Sequence, residues 1–151
     1  MKTYDEFRQA IAVRESSGKY NCVNSLGYLG AYQFGKPRLW DLGISIDGWT
    51  PQKIDGLPKN MRTISKEDFL KDIELQDGCF RKHVGMLARS IQKRVDARDI
   101  EKYTLSGLVA GAHLKGIGGV LDFVQAGNDN QDGYGTKISE YITTFAGYDI
   151  A

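Results

Sequence analysis

Apolar residues recur at helical spacing along much of the chain, and this pattern predicts a mainly helical protein. The first helix is predicted over 3–16, where Thr3 and Glu6 form a capping box. Its apolar residues share one stripe: Tyr4, Phe7, Ala10 and Ile11. The longest pattern follows Ser65 and repeats at three- and four-residue steps from Phe69 to Val95. It predicts a long central helix with a break near Gly78.

The segments on either side of residue 43 read differently. Pro37 suits the first turn of a short helix over 38–42, which Gly43 ends. Residues 44–64 lack sustained periodicity and are rich in glycine and proline. We therefore interpret them as an irregular loop or a small lobe.

Two further helices are predicted in the last third of the chain. One begins at Thr104 or Ser106 and is interrupted by the glycines within 116–119. A polar turn at 127–135 then leads to a last helix capped by Thr136. The Asp and Asn residues of this turn alternate as in a calcium loop, but the bidentate glutamate that such a loop needs is missing. A helix-capping turn is the preferred interpretation.

The charge balance argues against one class of partner. The 151 residues carry 20 basic and 19 acidic side chains, a net charge of +1. A nucleic-acid binder that relies on a strong positive field is therefore not expected. Six basic residues crowd one segment, and we interpret them as a solvated helix face, with contact to an anionic polymer such as the cell wall as the alternative: Arg81, Lys82, Arg89, Lys93, Arg94 and Arg98.

Cysteine content and apolar content limit the remaining options. Cys22 and Cys79 have no metal-ligand spacing, so no zinc site is expected, and we predict free thiols with a disulfide as the alternative. We expect neither a metal nor a cofactor. The amino terminus shows no secretory signal, and no apolar run approaches the roughly 20 residues that span a bilayer. We predict synthesis in the cytoplasm and no stable membrane insertion.

Glu15 is the strongest candidate for chemistry, because it falls in the last turn of the first predicted helix. A carboxylate there faces the negative end of the helix macrodipole, which favours its protonated form. Exclusion of water by the glycine-rich segment that follows would act in the same direction, as a general acid near neutral pH requires. An exposed glutamate at a frayed helix end is the alternative.

The sequence around Glu15 resembles the first two motifs of the soluble lytic transglycosylases in the lysozyme superfamily. Here the motifs read Glu15-Ser16-Ser17-Gly18-Lys19-Tyr20-Asn21, then Asn24, then Gly30-Ala31-Tyr32-Gln33-Phe34. A looser third motif is Ala112-His113-Leu114-Lys115-Gly116, and Tyr141 corresponds to an aromatic residue of a late helix. Tyr32 replaces the usual methionine and His113 the usual tyrosine, so the sugar contacts are expected to differ.

The resemblance implies a lysozyme-like fold, mainly α within the α+β type. A helical domain with a long central helix and a small irregular or β-containing lobe would form a cleft, and residues 1–151 would be a single catalytic domain. It also implies one catalytic residue, Glu15, and six substrate-binding residues: Asn24, Tyr32, Gln33, Phe34, His113 and Tyr141.

The roles of the binding residues follow from the same resemblance. Asn24 and Gln33 would bind the N-acetyl group or position the acid. Tyr32 and Phe34 would stack on sugar rings, although aromatic residues are more often core. Tyr141 would donate its hydroxyl to Glu15. For His113, a hydrogen-bonded side chain at a helix end is preferred to a sugar contact.

The implied reaction is cleavage of the β-1,4 bond between N-acetylmuramic acid and N-acetylglucosamine, with formation of 1,6-anhydro-N-acetylmuramic acid. Glu15 would act as acid and then as base, since the substrate's own 6-hydroxyl is the nucleophile. A two-carboxyl mechanism would need a partner, and Asp41, Asp47 and Asp132 stand in no recognisable partner motif.

Two alternatives remain open. One is a lysozyme-type muramidase on the same fold, with water held by Asp132 or Thr136. The other is a non-catalytic glycan-binding or structural module of a phage or secretion machine. In each case the expected partners are peptidoglycan glycan strands, with an inhibitor or delivery-machine protein in addition. The cell wall, in the periplasm, would be reached after lysis, by tail delivery or by secretion.

Overall fold

The computed structural model describes residues 2–52 and 57–151 and is mainly helical. These residues form seven helices and two short strands. In chain order they are α1 (Tyr4–Ser16), α2 (Lys36–Asp41), β1 (Ile44–Ile46), β2 (Arg62–Ile64), α3 (Lys66–Lys71), α4 (Ile73–Arg94), α5 (Ala97–Tyr103), α6 (Leu105–Ala126) and α7 (Ile138–Thr144). The predicted mainly α class with a small β-containing part is confirmed.

The chain divides into two compact units. Residues 12–83 form the first, which we call the Glu15 unit, and residues 1–11 with 84–151 form the second, which we call the terminal unit. The first helix and the long helix α4 each contribute residues to both. The single catalytic domain over residues 1–151 stays a prediction.

The first helix begins as its sequence predicts. The Thr3 Oγ1 atom accepts a hydrogen bond from the Glu6 amide at 3.2 Å, and the Thr3 amide donates to Glu6 Oε1 at 3.3 Å. This reciprocal pair is the capping box. Phe7 and Ile11 of the predicted stripe are fully buried.

The long helical pattern after Ser65 is divided earlier than predicted. Ser65 caps only α3, by accepting from the Asp68 amide at 3.1 Å. The next helix begins after Asp72, whose Oδ1 atom accepts from the Leu75 amide at 2.9 Å. Because Asp72 offers this cap, the break falls there, and the predicted break near Gly78 is wrong.

Residues 44–64 contain a small parallel sheet where an irregular segment was predicted. The pairs are Ile44 with Arg62, Ser45 with Thr63 and Ile46 with Ile64. All three residues of β1 are buried, including Ser45, which donates to the Trp49 carbonyl at 2.7 Å. Three-residue strands are too short to show an alternating pattern. Part of the predicted segment, 53–56, lies outside the described residues.

The largest apolar helix of the terminal unit is α6. Thr104 caps it by accepting from the Gly107 amide at 3.2 Å, and Gly116 interrupts it with φ 75° and ψ 171°. The α6 and α7 backbones approach closely: a Cβ at Gly107 would lie 2.6 Å from the Ile142 carbonyl oxygen. The predicted glycine break is therefore confirmed at Gly116, and α5 is an additional helix that was not predicted.

Among the described residues, α6 is the one helix that could cross a membrane by length and composition, with a mean hydropathy of 1.2, although no apolar run of this length was expected from the sequence. Core helices of soluble proteins share this length and composition. Much of the helix is buried in the protein: Ser106, Gly107, Leu108, Val109, Ala110, Gly111, Ala112, Gly119 and Val120. The expected lack of membrane insertion stays a prediction.

The polar turn before α7 caps that helix, but through a different residue from the one predicted. Asp129 accepts from the Ser139 amide at 2.9 Å and from the Ser139 hydroxyl at 2.6 Å. Thr136 makes no such cap: the helix begins at Ile138 with Lys137 as its N-cap residue, and the Thr136 amide donates to Asp132 Oδ1 at 2.9 Å inside the turn. The interpretation as a helix-capping turn is confirmed, and Thr136 as the cap is wrong.

The basic residues that crowd one segment are solvated, as preferred from the sequence. All six are exposed: Arg81, Lys82, Arg89, Lys93, Arg94 and Arg98.

Candidate functional site

Glu15 lies half-buried in the last turn of α1, the position that the sequence predicts. The helix end is closed directly after it. Ser17 and Gly18 adopt left-handed conformations, with φ 58° and 77°. Their amides donate to the carbonyls of Val13 and Ala12 at 2.9 and 3.0 Å. These bonds satisfy carbonyls that a helix end leaves without partners. The end of the helix is thus ordered, not frayed.

Ser16, the neighbour of Glu15, ties this helix end to a second segment. Its side chain is buried, and its Oγ atom lies 2.8 Å from the Ala31 carbonyl oxygen and 3.0 Å from that of Ala12. The same Oγ accepts from the Lys19 amide at 3.1 Å. One hydroxyl therefore joins the end of α1 to the segment that carries the second motif.

That second segment is a tight turn, which we call the 30–33 turn. Leu29 and Phe34 close it by exchanging two backbone hydrogen bonds of 2.9 Å. Gly30 and Gln33 have left-handed φ angles of 83° and 57°. Gln33 donates from Nε2 to the Gly30 carbonyl at 2.9 Å, and its Oε1 atom is buried with no hydrogen-bond partner. The same Nε2 atom also donates to the Cys22 carbonyl at 3.4 Å, so Gln33 contacts backbone of its own turn and of the preceding loop. Its substrate role stays a prediction.

Asn24 shapes the loop between the two motifs. Its Oδ1 atom accepts from the amides of Leu26 and Tyr28 at 2.9 and 3.0 Å. The backbone amide of Asn24 donates to the Tyr28 carbonyl at 3.1 Å. These bonds are typical of an Asx turn, in which the side chain orders the backbone that follows it. Contact with the N-acetyl group stays a prediction.

Tyr32 and Phe34 lie in the core of the Glu15 unit. Tyr32 is fully buried, stacks on Phe80 with ring centroids 4.3 Å apart, and donates its hydroxyl to Asp77 at 2.5 Å. Phe34 is 2% exposed and packs edge-on against His83. Neither ring offers a face to solvent, so sugar stacking by these two residues stays a prediction that their burial disfavours.

Tyr28 is an exposed aromatic residue that the sequence reasoning missed. Its side chain is 43% exposed, and Val23 and Leu26 beside it are exposed as well. One edge of the ring rests on Gly35, where a Cβ would lie 2.9 Å from Tyr28 Cε1. A signal was available, because Tyr28 precedes buried Leu29 in an extended stretch, where neighbouring side chains point to opposite sides.

Gln76 and Asp77, near the start of α4, also escaped the sequence reasoning. Gln76 is 1% exposed, and its carboxamide bonds three backbone groups, those of Tyr20, Ala31 and Phe69. Asp77 accepts the hydroxyls of Tyr20 and Tyr32. In the sequence both residues lie inside the apolar repeat of the long helix, which hides polar residues with a structural role.

The last two predicted site residues belong to the terminal unit. His113 is half-buried in α6, in the turn before Gly116. Tyr141 is 2% exposed in α7 and packs edge-on against Phe145, with centroids 5.2 Å apart. The donation from Tyr141 to Glu15 and the role of His113 stay predictions.

The two cysteines are free thiols, as predicted. Cys79 is buried, and its desolvation raises the pKa of the thiol to about 11 against the opposing effect of Lys82. A second pKa shift is found at the α7 cap, where the Ser139 hydroxyl and amide lower the pKa of Asp129. Within the described ranges, no cluster of three His, Cys, Asp or Glu side chains is placed to hold a metal ion.

A polar depression of about 690 Å³ also opens in the Glu15 unit, beside β2 and α3. Charged side chains of both signs line it, among them Arg62, Asp68, Lys71 and Glu74. None of the predicted site residues takes part in its lining.

Comparison of the chain with protein-family models, with characterised proteins and with solved structures finds no match.

Proposed function

We propose that this protein is a peptidoglycan lytic transglycosylase in which Glu15 is the single acid and base. The observation that carries the proposal is the ordered end of α1. Glu15 stands where the helix closes, and the hydroxyl of Ser16 connects that end to the 30–33 turn. These are the two segments that resemble the motifs of the family, and they lie in one unit. Fixed placement of the acid is what such catalysis needs.

In the proposed reaction, Glu15 gives its proton to the oxygen that links N-acetylmuramic acid to N-acetylglucosamine. The bond from C1 to that oxygen breaks, and the N-acetyl group stabilises the positive charge that develops. Glu15, now a carboxylate, removes the proton of the 6-hydroxyl, and the 6-hydroxyl oxygen forms a bond to C1. The products are a 1,6-anhydro sugar and a free 4-hydroxyl, and no water is consumed.

The contacts of the other carboxylates support a mechanism with one carboxyl. Asp41 lies 3.6 Å from Arg38, and Asp47 accepts from the Lys66 amide at 3.1 Å. Asp132 accepts from the amides of Tyr134 and Thr136 at 2.9 Å. Each candidate for a second carboxyl thus has a structural contact of its own. An intramolecular nucleophile removes the need for such a partner.

We assign the sugar contact on this unit to Tyr28. It is the exposed ring of the motif-bearing loop, and Asn24 and Gly35 fix its backbone and one ring edge. The partners of the protein in this proposal are peptidoglycan glycan strands, and it acts at the cell wall.

The experiment that tests this function is mass spectrometry of the muropeptides that the wild type and Glu15→Gln release from purified peptidoglycan. We expect anhydro-muramic products from the wild type and a loss of about 100-fold or more in Glu15→Gln, because general acid–base catalysis contributes about 10²–10⁴-fold. Glu101→Gln, an exposed glutamate on α5, serves as the control and should match the wild type.

The other outcomes separate the alternatives. Products with reducing ends, lost in Glu15→Gln, would identify a muramidase. Binding of peptidoglycan without any release by the wild type would identify a glycan-binding module. Equal activity of the wild type and Glu15→Gln would exclude Glu15 as the acid.

A further inference from the structure

We propose that Gln76 and Asp77 are positioning residues for Glu15. They hold two stretches in place, residue 20, which follows the end of α1, and residues 31–32 of the 30–33 turn. This inference rests on the proposed function, because it assigns a purpose to Glu15. It does not follow from the motifs, since both residues lie far along the chain in α4. It is carried by hydrogen bonds within the Glu15 unit.

Gln76 uses its whole carboxamide on the backbone. Its Oε1 atom accepts from the Ala31 amide at 2.9 Å, on the 30–33 turn. Its Nε2 atom donates to the Tyr20 carbonyl at 3.0 Å and to the Phe69 carbonyl at 2.9 Å. Buried backbone groups must find partners, and here one side chain serves three of them. Gln76 thus fixes the turn relative to the stretch that leaves the end of α1.

Asp77 repeats the connection through side chains. Its Oδ1 atom accepts the Tyr20 hydroxyl at 2.7 Å and the Tyr32 hydroxyl at 2.5 Å. Tyr20 is four residues after Ser16, and Tyr32 is the neighbour of Ala31, whose carbonyl contacts the Ser16 hydroxyl. Two adjacent residues of α4 therefore hold the same two stretches, residue 20 and residues 31–32, by four side-chain hydrogen bonds. A fifth bond joins Gln76 to Phe69.

The Gln76 carboxamide packs directly against Gly30, in the space that a side chain at position 30 would occupy. A Cβ on Gly30 would collide with the Oε1 and Cδ atoms of Gln76. A side chain at position 30 would therefore force the Gln76 carboxamide out of the place that it occupies here. The close approach brings Ala31 within hydrogen-bond distance of Gln76 while its carbonyl remains bonded to Ser16.

This geometry predicts an effect on the chemical step and not on substrate affinity. Gln76 is buried and Asp77 is half-buried, whereas Tyr28 is exposed and can contact a substrate. Displacement of a catalytic group by about 1 Å can cost about 100-fold in rate. A change at Asp77 should therefore lower kcat, while a change at Tyr28 should raise KM.

The experiment measures kcat and KM with soluble, uncrosslinked glycan strands for Asp77→Ala, Asp77→Asn, Tyr28→Ala and the control Glu74→Gln. We expect kcat of Asp77→Ala to fall by about 10- to 100-fold with KM changed by less than about threefold. Asp77→Asn keeps an acceptor oxygen and should recover part of that loss. Glu74, an exposed residue one turn earlier in α4, should leave both constants unchanged.

A second readout is independent of activity. Hydrogen exchange of the Ala31 amide reports the bond to Gln76, and it should be faster in Gln76→Ala and in Asp77→Ala than in Glu74→Gln. If Gln76→Ala does not fold, the two Asp77 variants carry the test. Unchanged Ala31 exchange in folded variants, or faster exchange with wild-type kcat, overturns the inference.

Failure of the proposed function gives a different result. If Glu15→Gln retains wild-type activity, the proposed function is wrong. The proposal that Gln76 and Asp77 position Glu15 for catalysis is then wrong as well, whatever the Ala31 exchange shows. If Glu15→Gln is inactive and Asp77→Ala has wild-type kcat with faster Ala31 exchange, the proposed function stands and this inference alone fails.

Discussion

At the scale of the residue, Gly30 sets the geometry of the turn beside Glu15. Its φ of 83° is left-handed, and the space of a Cβ is filled by the Gln76 carboxamide. We expect Gly30→Ala to lower the free energy of unfolding by about 2–5 kcal/mol, the sum of the left-handed backbone cost and of unpaired groups around Gln76. Urea unfolding monitored by circular dichroism measures this.

Gly27→Ala is the matched control for that substitution. Gly27 has a similar φ of 85°, but no atom lies within 4 Å of the place of its Cβ. It should lose only the backbone contribution, about 1–2 kcal/mol. Equal losses in the two variants would mean that Gln76 moves aside without cost.

The sequence predicts the position of Glu15 but not the orientation of the aromatic residues near it. The prediction for Glu15 depends on local signals, namely the capping box and the predicted range of the first helix. Its place in the last turn of α1 is confirmed. Tyr32 and Tyr28 differ in burial because of contacts with distant residues. The ring of Tyr32 stacks on Phe80 and bonds Asp77, which no local pattern around residue 32 encodes.

At the scale of the element, α7 depends on a cap from the preceding turn. Asp129 holds the Ser139 amide and hydroxyl, and these bonds lower its pKa below the ordinary value of 3.8. A lowered pKa gives stability that is present above pH 3.8 and is lost as the pH falls through the lower, folded value. We expect Asp129→Asn to lower the melting temperature at pH 7, and the difference from the wild type to shrink below pH 3.8.

Thermal unfolding followed by circular dichroism between neutral and acidic pH measures that difference. Glu101→Gln, an exposed carboxylate outside any cap, should show no such pH dependence relative to the wild type. A difference between wild type and Asp129→Asn that is constant down to the lowest pH would show that the charge of Asp129 does not contribute.

The elements themselves follow the sequence where the cause is local. The starts of α1 and α6 and the kink at Gly116 depend on capping residues and glycine, and they are confirmed. The strands β1 and β2 pair residues 18 apart in the chain, so no single window contains their signal. The cap of α7 by Asp129 was missed for a related reason, since it acts on Ser139, 10 residues further along.

At the scale of the whole molecule, the predicted site residues belong to two units. Glu15, Asn24 and the residues of the second motif lie in the Glu15 unit, whereas His113 and Tyr141 lie in the terminal unit. The order of motifs along a chain carries no information about this division. The first residues of α1 belong with the carboxyl-terminal part of the chain, in the terminal unit.

Phe7 is the residue that makes this packing testable. It is fully buried, with ring centroids 6.3 Å from Phe145 and 5.5 Å from Tyr148. Beside it, the Asp149 amide donates to the Lys2 carbonyl at 2.7 Å, so the amino-terminal segment is fixed to the carboxyl-terminal one by backbone as well.

We expect Phe7→Ala to lower the free energy of unfolding by about 3–5 kcal/mol, the usual cost of truncating a buried aromatic ring to alanine. Urea titration gives the value, and faster hydrogen exchange of the α7 amides should accompany it, since Phe145 at the end of α7 loses its contact with the Phe7 ring. Val13→Ala on the same helix is the control: its side chain is 65% exposed, so the change should stay within about 0.5 kcal/mol. If Phe7→Ala lost no more stability than Val13→Ala, the buried Phe7 ring would not contribute to the core that it forms with residues near the carboxyl terminus.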